Sequence, residues 1–376
     1  MNLESNAKKI VDQIFGLKAG ESFLILTEKF DDKLSLSDSD KKRWKSLNAF
    51  VPELFYEIKK YFGKVDLFEY PSTGRSGKEP PIETWEKAFG KDITDLLKDN
   101  ALMDKLLNKS MVQKDHEKIT ELLKSYKNVN YNAIMAMTNF STTHTSFRKL
   151  LTERFNARYA SMPRFDPDMF NTSMSADFSR VEDVSIKLAK KLNQYEKFHI
   201  ISDNGTDLMI YKEGRHVEPD TGNLRKPGTY GNLPAGEAYF APIEGKSYGK
   251  LVMEYSITGK LGSPITVNIK EGRAESTEGS DPYLKEFLEK LDAHPNNRNV
   301  AEAGFGTNDK AVKFDNILET EKIFGTVHIA FGDNMGFGGN VSAPFHEDYI
   351  ILNPEVYGIN NGVEELIIKN RKLLLD

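Results

Sequence analysis

The pattern of apolar and polar positions changes character near the middle of the chain. In the first part, helical stripes alternate with short apolar runs. Ile10, Val11, Ile14 and Leu17 fall on one face of an opening amphipathic helix. Residues 22–26 (SFLIL), introduced by Ala-Gly, suit a buried strand. Ser37, Asp38 and Ser39 offer N-caps for a long helix through KKRWKSLNAFVPELFYEIKKYFG, which Pro52 is expected to kink or divide. A strand (VDLFEYP, 65–71), a Gly/Pro-rich loop (STGRSGKEPP), helical patterns from about 82 to 127 and a further buried strand (AIMAMT, 133–138) follow. This βαβ rhythm predicts an N-terminal α/β domain, residues 1–195, built on a mostly parallel sheet.

A helix with Val181, Val184, Leu188 and Leu192 on its apolar face closes that half. From Phe198 onward, short strand-like runs separated by Gly, Asn, Asp and Pro dominate: FHIIS, DLMIYK, LVMEYSIT, ITVNI, GTVHIAF, YIILN and ELIIKN. The pattern predicts a C-terminal α+β domain, residues 196–376, rich in antiparallel strands, with a helix near PYLKEFLEKLDAH. NGTDL (204–208) and Asn361-Gly362 read as hairpin turns.

Composition narrows the chemistry. With 39% hydrophobic residues the chain can bury a substantial core, and 51 basic against 56 acidic residues leave a net charge of -5. No broad basic surface is available to follow a phosphate backbone, so nucleic acid is not an expected partner. The absence of cysteine excludes disulfides, thiolate ligands and a cysteine nucleophile, so a bound metal must be held by nitrogen and oxygen. No export signal or stretch of roughly 18 to 20 apolar residues is present, and a soluble, cytoplasmic protein without membrane contact is expected.

Two of only seven histidines fall in one segment, GTVHIAFGDNMGFGGNVSAPFHED (325–348). On a strand, His346 and Asp348 of the H-x-D sequence project from the same face and offer two ligands to one ion. His328 lies among apolar residues, where an imidazole needs a partner. A hydrogen-bonded core histidine is the plainer reading. Glu237 follows a Pro-Ala-Gly turn and Glu302 lies in a mostly buried strand, although a turn cap and a salt bridge would account for each separately. Together two Glu, two His and one Asp suit zinc, cobalt or manganese, or a mononuclear iron held by the two His and one carboxylate. GFGTND and MGFGGN lack the complete dinucleotide-binding pattern, and the Ser141-Thr142-Thr143-His144 run reads as a polar loop.

NLPAGE, AEAGFGTN, GTVHIAFGDN and H-x-D, in this order, resemble the signature blocks of the thermophilic aminopeptidase T family of metallopeptidases. LKAGESFLIL, RYASMPRFDPDMF and DNGTDLMIYKEGR followed by D-x-G extend the resemblance over most of the chain, most strongly from residue 198. It implies an N-terminal α/β domain, a C-terminal metal-binding domain and a homodimer. It also implies a hydrolase that removes N-terminal residues from peptides or related small amides. Glu237, Glu302, His328, His346 and Asp348 match the family's ligands to two divalent ions, zinc, cobalt or manganese, which activate a water and polarise the scissile carbonyl. The family tyrosine seven residues after the first histidine is Met335 here. Loss of one oxyanion donor costs about 100- to 1000-fold in rate. A ring-opening dioxygenase acting on 2,5-dihydroxypyridine resembles the same family but uses a single iron(II), for which His328, His346 and Asp348 are the expected triad. A binding protein that kept the fold without the chemistry is the third expectation.

Overall fold

The computed structural model describes residues 2–257, 259–312 and 315–375. The chain forms two compact units, Met1–Asn171 with Gly222–Leu233, and Thr172–Thr221 with Pro234–Asp376. This division differs from the single boundary expected after residue 195. The helix Phe178–Leu192 belongs to the second unit because Leu188, Ala189 and Leu192 pack into the same core as Phe198 and Ile200. Residues 222–233 belong to the first because Tyr230–Asn232 pairs with Arg158–Ser161.

The first unit is built on a five-stranded, wholly parallel sheet in the order Val65–Tyr70, Phe23–Glu28, Ala133–Met137, Arg158–Ser161, Tyr230–Asn232. Every residue of Phe23–Glu28 and Ala133–Met137 is buried, as expected where helices cover both faces of a parallel sheet. The helix Asp38–Phe62 passes through Pro52 without dividing. Proline costs it one backbone hydrogen bond, but Trp44, Leu47, Val51, Leu54 and Ile58 all pack on its buried side, and that packing outweighs the loss.

In open sheets of this kind, ligands enter where the strand order reverses, at the carboxyl ends of the strands. Here that position, between Phe23–Glu28 and Ala133–Met137, is filled by the protein itself. Buried Glu28 accepts hydrogen bonds from the Thr73 amide (2.5 Å) and hydroxyl (2.8 Å) on one oxygen, and from the Asn139 (3.1 Å) and Phe140 (3.0 Å) amides on the other. Burial raises its pKa, partly opposed by these donors.

The second unit stacks two antiparallel sheets. An eight-stranded sheet contributes Phe198, Ile200, Leu251, Val267 and Val356 to a common core. A five-stranded sheet in the order His346–Ile351, Val327–Gly332, Val300–Gly306, Glu237–Phe240, Glu218–Asp220 contributes Phe240, Ala303, Phe305, Ile329 and Tyr349. Asn361 (φ 51°) and Gly362 (φ 79°) form the expected turn between Pro354–Asn360 and Val363–Lys369, both in the left-handed region that a two-residue type I′ hairpin requires. Among the described residues, no helix is long and apolar enough to cross a membrane.

Glu28→Gln should lower the unfolding free energy by about 1–3 kcal/mol in a urea titration, because the amide would turn a donor toward amide donors that already point at it. A stability equal to that of the unchanged protein would show that Glu28 does not hold the two loops.

Candidate metal centre

The five-stranded sheet of the second unit has two chemically distinct faces. Residues directly opposite one another in an antiparallel pair share a face, as do residues two apart on one strand. Asp220 pairs with Glu237 and Glu237 with Gly306; Tyr239 pairs with Gly304 and Gly304 with His328. Glu302 pairs with Ala330 and Ala330 with Asp348, and Gly332 with His346. All five candidate ligands therefore lie on one face, while Ala238, Phe240, Ala303, Phe305, Ile329, Phe331 and Tyr349 face the core. Glu302 reaches the polar face through a register shift between Val300 and Glu302. This local bulge puts Val300 in the core and Glu302, two residues on, on the opposite face.

Two glycines make the space. A Cβ on Gly304 would lie 2.0 Å from Nε2 of His328, so only glycine admits the imidazole there. Gly236, at φ +126°, would place a Cβ 2.8 Å from Asn308 and delivers Glu237 out of the Pro-Ala-Gly turn.

The side chains meet around Glu302. His328 Nε2 lies 3.5 Å from one of its oxygens and His346 Nε2 3.4 Å from the other. His328 Nε2 is also 3.3 Å from Glu237 and 3.9 Å from Asp348, and His346 Nε2 is 3.8 Å from Asp348. These separations are long for hydrogen bonds but close to the roughly 3–3.5 Å between neighbouring ligands on a metal with bonds of about 2.0–2.2 Å. Two overlapping groups result, Glu237–Glu302–His328 and Glu302–His346–Asp348, each with ligand atoms within 4.8 Å of one another. The triad of His328, His346 and Asp348 is not one of them. Glu302 stands between the two histidines and belongs to both groups.

Further observations fit a cation. Buried Glu237 has one oxygen without a hydrogen-bond partner. Nδ1 of His346 lies 2.7 Å from the Asp333 carbonyl, which only accepts, so this nitrogen carries the proton and Nε2 is left for a ligand bond. His346 is about one-third exposed, whereas His328 is buried. The cluster is approached from the His346 side.

Electrostatics point the same way. Burial opposes the charge on both histidines, yet the surrounding carboxylates, Glu302 first, push His328 up to about 9 and His346 up to about 10. Burial likewise opposes ionisation of Glu302, but the two imidazoles beside it hold it well below the usual carboxylate range. Burial pushes Glu237 up to about 7 and Glu321 up to about 8. Lys322, buried against Glu237, Glu321 (2.9 Å) and Asp220 (3.6 Å), stays protonated because their charges outweigh the cost of burying it. Asp220, Glu237, Glu302, Glu321 and Asp348 thus crowd around Lys322 and the two histidines, and the raised values of Glu237 and Glu321 reflect that crowding and their burial.

Lys322, Asp333, Tyr239 and Phe337 escape a sequence reading. Only the adjacency of Glu321-Lys322 to GTVHIAF hints at the first. Met335 is 57% exposed, in the turn Met335–Phe337. Of the two tyrosines that the sequence offers in place of the family tyrosine, Tyr349 and Tyr255, the first points to the core face, where its hydroxyl meets Tyr283 (3.1 Å) and Glu347 (3.1 Å). Tyr255 lies in a strand of the other sheet. The tyrosine on the face of the cluster is Tyr239.

A family model described as NicX, 2,5-dihydroxypyridine 5,6-dioxygenase, matches residues 169–351, a span that contains all five candidate ligands. No curated protein matches the chain. Among solved structures, the chain is similar to 2,5-dihydroxypyridine dioxygenase from Pseudomonas putida KT2440 with a TM-score of 0.67 and 15% identity, covering 99% of this chain and 96% of that one. It is also similar to wild-type AmpT, an aminopeptidase T from Thermus thermophilus, with a TM-score of 0.57 and 13% identity over 99% of both chains. Likeness at these identities establishes a shared two-domain fold.

Gly304→Ala should weaken binding of a divalent ion by about 10- to 100-fold, since the new methyl displaces His328 from the cluster. Titration with cobalt(II), followed by its absorption spectrum, checks this; an unchanged affinity would remove His328 from the site.

Proposed function

We propose that this chain is a metal-dependent ring-opening dioxygenase acting on a hydroxylated N-heteroaromatic compound of the 2,5-dihydroxypyridine type. The observation that carries the reading is the match of the dioxygenase family model to the stretch that supplies every member of the cluster. The expectation of a peptide hydrolase has the fold likeness behind it but no corresponding family match.

Glu302, His346 and Asp348, whose ligand atoms lie close together, are the proposed ligands of a single iron(II): one imidazole and two carboxylates, in place of the His328, His346 and Asp348 expected from the sequence. When bound, the ion supplies the redox chemistry by which both atoms of dioxygen enter the substrate as one ring C–C bond is cleaved. The four electrons required come from the ring, so no external reductant is needed. The remaining residues orient and balance charge. The Asp333 carbonyl fixes the tautomer of His346, and His328 braces Glu302 from the buried side. Lys322 compensates Glu237, so this carboxylate does not draw the ion away from Asp348. The partial exposure of His346 leaves the substrate an approach.

The second group, Glu237–Glu302–His328, favours one other reading, a two-ion hydrolase of the aminopeptidase type sharing Glu302 between ions. Stoichiometry separates the two. Protein loaded anaerobically with ferrous iron should hold about one ion per chain and consume about one dioxygen per 2,5-dihydroxypyridine. His346→Ala should lose both the iron and the oxygen uptake. Two zinc or cobalt ions per chain with cleavage of aminoacyl amides would overturn the proposal in favour of the hydrolase, and a metal-free protein without turnover would overturn both.

A further inference from the structure

The connection between Val327–Gly332 and His346–Ile351 is a pre-formed loop closed around one side chain. Asn334 is fully buried. Its amide donates to the Val341 carbonyl (3.0 Å), its carbonyl accepts from the Gly339 amide (2.9 Å), and its side-chain oxygen accepts from the Val341 amide (2.8 Å). A Cβ on Gly339 would lie 1.9 Å from the Asn334 side chain, so the closure requires glycine. Glu244 ties the loop down from outside, accepting from the Asn334 amide group (3.0 Å) and the Asn340 backbone (2.9 Å) while Arg215 holds its other oxygen. These donors hold the Glu244 carboxyl near 2 against the effect of its burial.

The loop presents two large apolar side chains with different fates. Met335 projects to solvent, whereas half-buried Phe337 makes edge-to-face contacts with Tyr239 (centroids 5.8 Å, 70°) and with His346 (5.8 Å, 86°). Tyr239 and His346 both lie on the polar face of the sheet, on opposite sides of the Glu302 and His328 strands. Phe337 therefore bridges them on that face and sets aromatic surface beside the one partly exposed histidine of the cluster.

We propose that Phe337 and Tyr239 form the specificity-determining wall of this site, selecting a substrate with a flat aromatic body and polar edges; the inference rests on the dioxygenase reading and names what admits its substrate class. Aromatic rings favour offset and edge-to-face neighbours by about 0.5–1.5 kcal/mol beyond area burial, an advantage a puckered or branched ligand does not receive. Because Asn334 and Glu244 fix the loop beforehand, little ordering cost falls on binding.

The test pairs turnover with binding. KM for 2,5-dihydroxypyridine is measured by oxygen uptake, and the dissociation constant of 3-hydroxypyridine by calorimetry on the metal-loaded protein. Phe337→Ala should raise both by about tenfold with metal content unchanged. Phe337→Tyr should restore most of the loss, and Met335→Ala, in the same loop, should leave both constants within twofold. Phe337→Leu serves if the alanine variant is unstable, and should show the same loss in weaker form. Constants within twofold of the unchanged protein in the alanine and leucine variants would overturn the wall, as would failure of the unchanged protein to bind 3-hydroxypyridine. Binding of 3-hydroxypyridine that depends on Phe337, without any oxygen uptake, would uphold the wall and overturn the dioxygenase reading instead.

Discussion

The site depends on the pleat of one antiparallel sheet whose two faces have opposite chemistry. Phe240, Phe305, Ile329, Phe331 and Tyr349 commit one face to the core, so a shift of any strand by one residue would drive carboxylates and imidazoles into it. That penalty pins the register, and the register places Glu237, Glu302, His328, His346 and Asp348 together. Core packing thus does the positioning. The bulge before Glu302 is the one local departure, and it turns a carboxylate to the polar face without moving Val300 from the core.

Crowding carboxylates in this way carries an electrostatic cost that the sequence offsets from close by. Lys322 lies against Glu237, Glu321 and Asp220, and the carboxylates around both histidines favour their protonated forms. An ion binding at Glu302, His346 and Asp348 must displace the proton on Nε2 of His346, but it relieves the same crowding of carboxylates. Lys322 is paired with the carboxylates at the Glu237 end. Its constant charge at the Glu237 end makes the two ends of the cluster unequal, with the more exposed end left for exchangeable chemistry.

Much of this architecture is legible in the sequence, for identifiable reasons. Long periodic elements such as Asp38–Phe62 and Phe178–Leu192 declare themselves, and Asn361-Gly362 states its turn. The five candidate ligands are legible because Glu237, Glu302 and His328 are polar residues in an apolar or turn context that demands a partner, and His346 and Asp348 have the two-residue spacing that puts them on one face of a strand. The exchange of segments between the units is not, because Tyr230–Asn232 is too short for any periodicity and gains its place only by pairing with Arg158–Ser161. Nor is the continuity of the helix at Pro52, since local rules register the lost hydrogen bond but not the tertiary packing that outweighs it. The grouping around Glu302 depends on a bulge, which has no signature in VAEAG.

Met335 marks the limit of position-by-position reasoning. Counting seven residues from His328 places it where the resembled family has a tyrosine, which suggests a site that has lost a functional phenol. Its surroundings say otherwise. The loop is short, closed around Asn334 and turned so that Met335 faces solvent while Phe337, two residues on, faces the cluster. On the polar face of the sheet a phenol is present, but it comes from Tyr239 on a different strand. What a loop contributes to a site follows from how its hydrogen bonds aim it, and here Asn334 and Glu244 aim an aromatic ring at His346. An aromatic wall on that face offers offset and edge-to-face contacts that a flat ring can use in full. Met335 by itself thus decides neither reading; the aim of Phe337 and the position of Tyr239 carry the information that the count from His328 does not.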